Sequence, residues 1–243
     1  MAGVTELVFR DAGYVRSVTG VVVRAGADGI VLDRTVFYPT GGGQPGDRGI
    51  IRAADGTATL IVDTVKGPGL DEVVHVPAPG APLPSVGSTV EAVINWDRRH
   101  RLMRMHSCLH LLCSLIDAPV TGGQVGEDRG RLDFDLPDVT PDKDDLSRRL
   151  NTLIAADHAL SARWISDAEL AASPELVRTM SVKPPIGSGR VRLMEVAGVD
   201  LQPCGGTHVR STAEIGAVEV VKIEKKGRLN RRVIVAFVEG NAA

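Results

Sequence analysis

The 243-residue sequence has few aromatic residues, few cysteines and almost no net charge. Phe, Trp and Tyr make up only 3% of it, which disfavours a protein that binds nucleic acid mainly by stacking bases on rings. Lys and Arg number 28 against 30 Asp and Glu, so any binding of a polyanion must depend on local basic patches. Three cysteines are an odd and small number for a disulfide framework, so we expect a reducing, cytoplasmic environment.

Long apolar runs are also absent from the sequence. No run approaches the roughly 18 residues of a membrane span, and the first residues show no basic stretch followed by an apolar one. We therefore expect no membrane partner and no secretory leader. Apolar residues at 43% and charged residues at 24% are typical of globular proteins, and the length suits one large domain or two small ones.

Glycine and proline are abundant, with 27 and 14 residues, and they divide the first part of the chain into short segments of β-type composition. Such segments at about ten-residue spacing are typical of a small barrel or sandwich. The predicted strands are 18–24, 29–33, 36–38, 49–52, 57–63, 73–76 and 88–94.

The pattern changes at Asp97. Apolar residues then recur every three or four positions from Leu102 to Ile116, which predicts an amphipathic helix of about twenty residues that ends before Pro119. Asn95 or Asp97 can serve as its N-cap.

Helical and extended segments alternate in the rest of the chain. The predicted helices are 141–158 and 167–172, and the predicted strands are 131–136, 161–165, 190–196, 217–225 and 231–238. The sequence therefore predicts the α+β class, with helices packed on a largely antiparallel sheet. We expect a glycine-rich, β-barrel-like domain at 1–95 and a two-layer α/β domain at 96–243.

Two pairs of nitrogen and sulfur side chains carry the strongest chemical signal. His106 and His110 are four positions apart in the predicted helix, so both imidazoles project from one face. Cys204 and His208 have the same spacing, and the two glycines between them allow a tight turn. Either pair alone has an ordinary structural explanation, a chance helix spacing or a glycine turn with a buried thiol. Together they predict a zinc site, because zinc prefers imidazole and thiolate ligands.

Three segments also carry a family resemblance. The stretch Arg-Leu-Met-Arg-Met-His-Ser-Cys-Leu-His-Leu at 101–111 and Cys-Gly-Gly-Thr-His at 204–208 resemble the editing domain of alanyl-tRNA synthetases. The segment Tyr-Pro-Thr-Gly-Gly-Gly-Gln-Pro-Gly-Asp-Arg-Gly at 38–49 resembles the glycine-rich segment that precedes that domain. Nearly the whole chain thus resembles a freestanding alanyl-tRNA editing protein of the AlaX type, in its longer form.

The resemblance implies a zinc-dependent aminoacyl-tRNA deacylase. It implies hydrolysis of the ester between tRNA(Ala) and a wrong amino acid, chiefly serine and possibly glycine. The aminoacylation pocket of a synthetase, built for the methyl side chain of alanine, rejects neither serine nor glycine strongly, so a second, hydrolytic site is needed. That site can spare alanine by offering the serine hydroxyl a hydrogen bond that alanine leaves unmade.

Residue roles follow from matching the motifs. The implied zinc ligands are His106, His110, Cys204 and His208, and the implied catalytic residues are Gln44, His208 and Gln202. The implied substrate contacts are Thr40, Gly42, Gly43, Gln44 and Thr207, with Gln44 on a flexible loop. The basic residues that would contact tRNA phosphates are Arg98, Arg101, Lys225, Lys226 and Arg228. The structural alternative for the glycine-rich segment is a plain β-turn. The alternative for the basic residues is a solvated charged face.

Two other functions remain open at this point. If all four ligands bind at once the site is closed, which suits a tRNA-binding module with a structural zinc and no hydrolytic activity. Catalysis through the metal instead needs an exchangeable position, for which His208 is the candidate. A zinc hydrolase of small esters or amides would need Glu195 or Asp200 as general base.

Overall fold

The computed structural model describes residues 5–69, 71–137, 139–177 and 189–238; the ends of the two predicted domains, 1–4 and 239–243, lie outside these ranges. The chain divides into two compact units, Met1–His100 and Arg101–Ala243. The predicted α+β class is confirmed, since a closed antiparallel barrel and further antiparallel sheets accompany a few helices. Within the described ranges, no helix combines the length and apolar character needed to cross a membrane.

The first unit is built mainly from short strands. They are β1 (Glu6–Leu7), β2 (Ser17–Gly26), β3 (Gly29–Leu32), β4 (Arg34–Thr35), β5 (Gly49–Ala53), β6 (Ala58–Lys66), β7 (Val73–Pro77) and β8 (Thr89–Ile94). Six of them close into an antiparallel barrel in the order β2-β3-β7-β6-β5-β8, and β1 pairs with β4. The barrel core is largely aliphatic, with Ile30, Leu32 and Phe37 fully buried.

Helix α1 (Trp96–Leu115) follows the barrel, and the boundary between the two units falls within it. Asn95 caps its first turn, because the Asn95 Oδ1 atom accepts a hydrogen bond from the Arg98 backbone amide at 3.1 Å. This confirms one of the two N-caps that the sequence offers.

A buried ion pair fastens the first turn of α1 to the glycine-rich segment of the same unit. The Arg99 guanidinium is fully buried and donates to both carboxylate oxygens of Asp47 through Nε, at 3.0 and 2.9 Å. It also donates to the Val36 carbonyl at 2.6 Å. The Asp47 carboxylate in turn accepts from the Tyr38 amide at 2.7 Å. The predicted strand at 36–38 is therefore wrong: the Val36 carbonyl and the Tyr38 amide bond to these side chains instead of to a neighbouring strand.

The glycine-rich segment forms a tight hairpin turn. Gly41 and Gln44 exchange two backbone hydrogen bonds of 3.0 and 2.9 Å. Gly42 and Gly43 between them have φ values of 56° and 82°, the left-handed conformation that a type I′ turn requires at both central positions. The Tyr38 hydroxyl donates to the Gly41 carbonyl at 2.8 Å, so the segment is fixed where the sequence analysis expects a flexible loop.

The second unit contains two antiparallel sheets and two further helices. Its elements are β9 (Val120–Gln124), β10 (Arg129–Asp135), α2 (Lys143–Ala155), β11 (Leu160–Ser166), α3 (Asp167–Ala172), β12 (Arg190–Val196), β13 (Asp200–Pro203), β14 (Val218–Lys226) and β15 (Asn230–Phe237). The sheets have the orders β14-β15-β10-β9 and β11-β12-β13. Most lie within one or two residues of their predicted positions, but the sequence analysis misses β9 and β13.

Helix α1 packs closely against the larger sheet. A Cβ atom added to Gly130 on β10 would lie 2.8 Å from the Met105 side chain and 3.1 Å from that of Leu109. Gly130 therefore makes room for the apolar face of the helix. This packing fixes the rotation of α1 about its axis and hence the direction in which His106 and His110 project.

Candidate metal centre

Four side chains from two distant segments converge in the second unit. His106 and His110 lie one turn apart on α1, and Cys204 directly follows β13. With His208, their potential ligand atoms all lie within 4.8 Å of one another. The structure therefore brings together the two pairs that the sequence singles out.

The separations between these atoms suit a small tetrahedral ion. The Cys204 Sγ atom lies 3.6 Å from His106 Nε2 and 3.2 Å from His208 Nε2. Ligand atoms at zinc bond lengths of about 2.0–2.3 Å in a tetrahedron are about 3.3–3.6 Å apart. Imidazole and thiolate are also the donors that zinc prefers, so the residues present fit this ion in both geometry and chemistry.

A buried arginine holds the turn that carries two of these ligands. The Arg192 guanidinium on β12 donates to the carbonyls of Cys204 at 2.8 Å and Gly206 at 3.1 Å. The Cys204 amide donates to the Arg192 carbonyl at 3.0 Å. The glycine-containing turn is thus fixed by side-chain and backbone hydrogen bonds to the neighbouring strand.

Hydrogen bonds to two of the imidazoles leave their Nε2 atoms for a metal ion. His208 Nδ1 lies 3.2 Å from Ser107 Oγ, which also accepts from the Val209 amide at 3.2 Å. His110 Nδ1 lies 3.1 Å from Asp200 Oδ2. With the proton on Nδ1 in each ring, the lone pair is on Nε2, the arrangement of a metal-binding histidine.

The charges in the cluster favour an ionised thiol. Burial by itself raises the pKa of Cys204, but the nearby His106 and His208 hold that pKa well below its ordinary value. Burial lowers the pKa of His110, yet the hydrogen bond to Asp200 and the proximity of Cys204 raise it to about 9. The thiolate is the form of cysteine that binds metals, and a metal ion must displace any proton on the imidazoles.

Cys108, on the same helix as His106 and His110, has a pKa shifted in the opposite direction from that of Cys204. It is fully buried, and burial raises its pKa to about 12. Cys113 is also buried. Neither belongs to the cluster, so both have the environment of core thiols.

Comparison with known proteins places these motifs in a family. Residues 191–234, which include Cys204 and His208, match the model described as the threonyl and alanyl tRNA synthetase second additional domain. Residues 9–98 match the model for class II (A) tRNA synthetases. The chain is 33% identical to the alanyl-tRNA editing protein AlaX-M of Methanosarcina acetivorans, over 97% of this chain and 100% of that protein. The chain belongs to the AlaX family of alanyl-tRNA editing proteins.

Other relatives agree with this membership in the AlaX family. AlaX-M of Methanosarcina mazei is 35% identical over 86% of this chain and 87% of its own length. The alanine-tRNA ligase of Saccharolobus islandicus is 32% identical over 91% of this chain, but the match covers only 25% of the ligase. The resemblance found in the sequence is therefore confirmed.

The remaining candidate residues of this AlaX chain lie in both units. Gln202 and Thr207 are buried in the second unit, and the Gln202 Nε2 atom donates to Asp200 Oδ2 at 2.8 Å. In the first unit Gln44 is fully buried, whereas Thr40, Gly42 and Gly43 are more accessible. Their predicted roles in substrate binding and catalysis stay predictions.

The five basic residues have different environments. Arg98 is only 8% exposed, and its guanidinium donates to the Gly46 carbonyl at 2.7 Å, which leaves little of it for a phosphate. Arg101 is partly exposed and pairs with Asp128 at 2.8 Å. The others, Lys225, Lys226 and Arg228, are exposed around the turn between β14 and β15.

Sequence reasoning assigned no metal-centre role to Ser107 or Asp200 and none at all to Arg192. The sequence offers Asp200 only as a candidate general base for a different reaction. One signal was present: Asp200, Gln202 and Cys204 alternate, and alternate residues of a strand share a face. The polar face of β13 is therefore the face that leads into the metal centre.

Proposed function

We propose that this chain hydrolyses mischarged tRNA(Ala) in trans, chiefly Ser-tRNA(Ala) and also Gly-tRNA(Ala), at a zinc ion held by the four converging residues. The observation that carries the proposal is the approach of the ligand atoms of His106, His110, Cys204 and His208 to within 4.8 Å. They occur in a chain whose relatives are named alanyl-tRNA editing proteins. Both the donor set and the family support a hydrolytic site for aminoacyl-tRNA.

When bound, zinc would supply a Lewis acid next to the ester carbonyl. The chain's own residues would orient the reactants. His208 is the proposed exchangeable ligand, because its ring is already held through Nδ1 by Ser107 and keeps its orientation without the metal bond. Gln202, with its amide nitrogen bonded to Asp200, is proposed to act from a fixed position, as catalysis by positioning requires.

Substrate binding is proposed for Thr207 beside the metal ligands and for the glycine-rich turn of the first unit. Gly42 and Gly43 have no side chains, so the backbone of their turn can approach a ribose or an amino acid closely. Thr40 and Gln44 flank these glycines, and the type I′ turn fixes their backbone. Because the turn is already ordered, binding of substrate to it would not lose the conformational entropy of a flexible loop.

Release of serine from Ser-tRNA(Ala) by the purified full-length protein tests this function. We expect hydrolysis far above the spontaneous rate, with free serine as the released amino acid. A rate equal to that without protein would contradict it. That result would instead favour a tRNA-binding module with a structural zinc, because the same four donors can form a closed zinc site.

The exposed cations at the β14–β15 turn are proposed to contact tRNA phosphates. Within the part of the chain that the structure describes, no carboxylate pairs with Lys225 or Arg228, whereas Lys226 pairs with Glu224 at 2.9 Å. The protein has a net charge of −2, so such a local patch is needed for attraction to RNA. Arg101, which is partly exposed, remains a proposed contact at the start of α1, and Arg98 could contribute only through the small exposed part of its side chain.

Replacing Lys225 and Arg228 by Ala is expected to flatten the salt dependence of tRNA binding. Each lost phosphate contact lowers the slope of log K against log salt by about 0.7–0.9, so the double variant should lose about 1.4–1.8. Affinity for uncharged tRNA(Ala), measured at several salt concentrations, checks this. The charge-matched control is Lys143→Ala, Arg149→Ala on α2, which should leave the slope unchanged. Equal slopes in all three proteins would make the patch an ordinary solvated surface.

A further inference from the structure

We propose that Asp200 is a positioning residue of the metal centre, which orients His110 and supplies a buried carboxylate beside the site of a divalent cation. The inference rests on the metal site of the proposed function but not on the reaction. It concerns how tightly the ion is held.

The Asp200 carboxylate is fully buried beside a metal ligand. Its Oδ2 atom accepts from Gln202 Nε2 at 2.8 Å and lies 3.1 Å from His110 Nδ1. Asp200 and Gln202 lie two apart on β13, so the strand presents both side chains on one face, the face of Cys204. His110 Nδ1 also lies 3.1 Å from Gln202 Nε2, so both nitrogens meet at the carboxylate, which accepts a hydrogen bond from each.

Two of the ligands are oriented by different kinds of acceptor. Ser107 offers His208 a neutral hydroxyl, whereas Asp200 offers His110 a carboxylate. A carboxylate bonded to Nδ1–H makes the opposite nitrogen a stronger electron donor, in addition to setting the ring orientation. Asp200 should therefore strengthen the bond from His110 Nε2 to a metal ion more than Ser107 strengthens the bond from His208.

The second role of Asp200 is electrostatic. The Asp200 carboxylate lies in a poorly hydrated region 3.1 Å from His110 Nδ1, where a divalent cation would compensate its negative charge. The Arg192 guanidinium, which donates to the backbone carbonyls of Cys204 and Gly206, is the cation that fastens the turn itself. Removing the carboxylate charge should weaken the attraction for a dication while leaving the ligand atoms in place.

One carboxylate oxygen distinguishes this role from a structural one. Among the described residues, Asp200 Oδ1 has no hydrogen-bond partner although it is buried. A buried carboxylate with an unpaired oxygen costs stability when no cation compensates it. A neutral amide at this position should therefore lower the stability of the zinc-loaded protein more than that of the metal-free protein.

The test is Asp200→Asn in the full-length chain, with Glu195→Gln as the control. Glu195 lies on the adjacent strand β12, its side chain is 41% exposed, and the change removes the same charge. Zinc affinity is measured by competition with a chromophoric chelator, and thermal unfolding is followed both with zinc and with EDTA present. We expect Asp200→Asn to bind zinc about 10- to 100-fold more weakly, and Glu195→Gln to match the wild type. Asp200→Asn should lower the unfolding temperature more in the zinc-loaded protein than in the metal-free protein.

Two results would overturn the assignment. Unchanged zinc affinity in Asp200→Asn would remove Asp200 from the metal centre. An equal fall in the unfolding temperature with and without zinc would make Asp200 a general structural residue. If the wild type itself bound no zinc, the metal site of the proposed function would fail, an outcome that the wild-type titration alone reveals.

Discussion

The double variant His106→Ala, Cys204→Ala is expected to lose zinc binding almost completely. Four-ligand zinc sites of imidazole and thiolate have binding free energies of about 10–16 kcal/mol, so removal of two ligands should cost at least about a thousandfold in affinity. The pair is informative because Cys204 Sγ and His106 Nε2 come from distant segments and lie 3.6 Å apart. Zinc content per chain, measured on the purified protein, checks the result against about one equivalent in the wild type.

The matched control for that variant removes one imidazole and one thiol elsewhere. His100→Ala, Cys113→Ala changes the same residue types, and neither belongs to the four-residue cluster. It should keep one zinc per chain. Undiminished zinc in His106→Ala, Cys204→Ala, with circular dichroism showing a folded protein, would disprove the ligand assignment.

Discrimination between serine and alanine is the second large effect that we expect. A site that hydrogen-bonds the serine hydroxyl leaves a buried polar group unpaired when alanine binds, and such sites favour the hydroxylated substrate by a factor of about 10²–10⁴. Values of kcat/KM for Ser-tRNA(Ala), Gly-tRNA(Ala) and Ala-tRNA(Ala) check this. Glycine makes no hydroxyl bond either, so its rate should lie well below that of serine.

Similar rates for Ser-tRNA(Ala) and Ala-tRNA(Ala) would contradict the selectivity while leaving the reaction class intact. Buried Gln202 and Thr207 supply polar groups beside the metal ligands. Gln202→Ala and Thr207→Val are the variants that should lower the ratio of the two rates if either residue bonds the hydroxyl. A change in both rates by the same factor would instead indicate a role in positioning the common ester.

The sequence predicts most of the fold because local patterns determine it. Alternating apolar residues between glycine and proline turns predict the barrel strands, and the apolar repeat from Leu102 predicts α1. The failure at 36–38 has a non-local cause. Its apolar residues are typical of a strand, but Arg99 and Asp47, distant in sequence, bond to its backbone groups.

The missed strand β13 shows a related limit. Asp200 and Gln202 give it a polar character, and Pro203 ends it, so neither apolar alternation nor length marks it as a strand. Its polar side chains face the metal centre instead of solvent. Sequence patterns that predict strands depend on apolar residues that face a hydrophobic core. They do not detect a strand whose inward-facing side chains are polar and lie beside metal ligands.

The candidate site was predictable where chemistry alone restricts residue type. Two histidines on one helix face and a Cys-x-x-x-His turn are informative because few other roles need them. Ser107, Asp200 and Arg192 are common residue types whose roles depend on tertiary contacts. The turn at Gly41–Gln44 also depends on context. Consecutive glycines predict a flexible loop, but in the fold they adopt a defined type I′ geometry.

Dependence of deacylation on bound zinc tests most directly whether the four-residue cluster is the active site. The full-length protein is stripped with a chelator, its folding is checked by circular dichroism, and Ser-tRNA(Ala) hydrolysis is measured as zinc is returned. We expect the rate to rise in proportion to zinc and to level off at about one equivalent per chain. We expect no rise in His106→Ala, Cys204→Ala. Full hydrolytic activity in the folded, metal-free protein would contradict a metal-dependent active site at these residues.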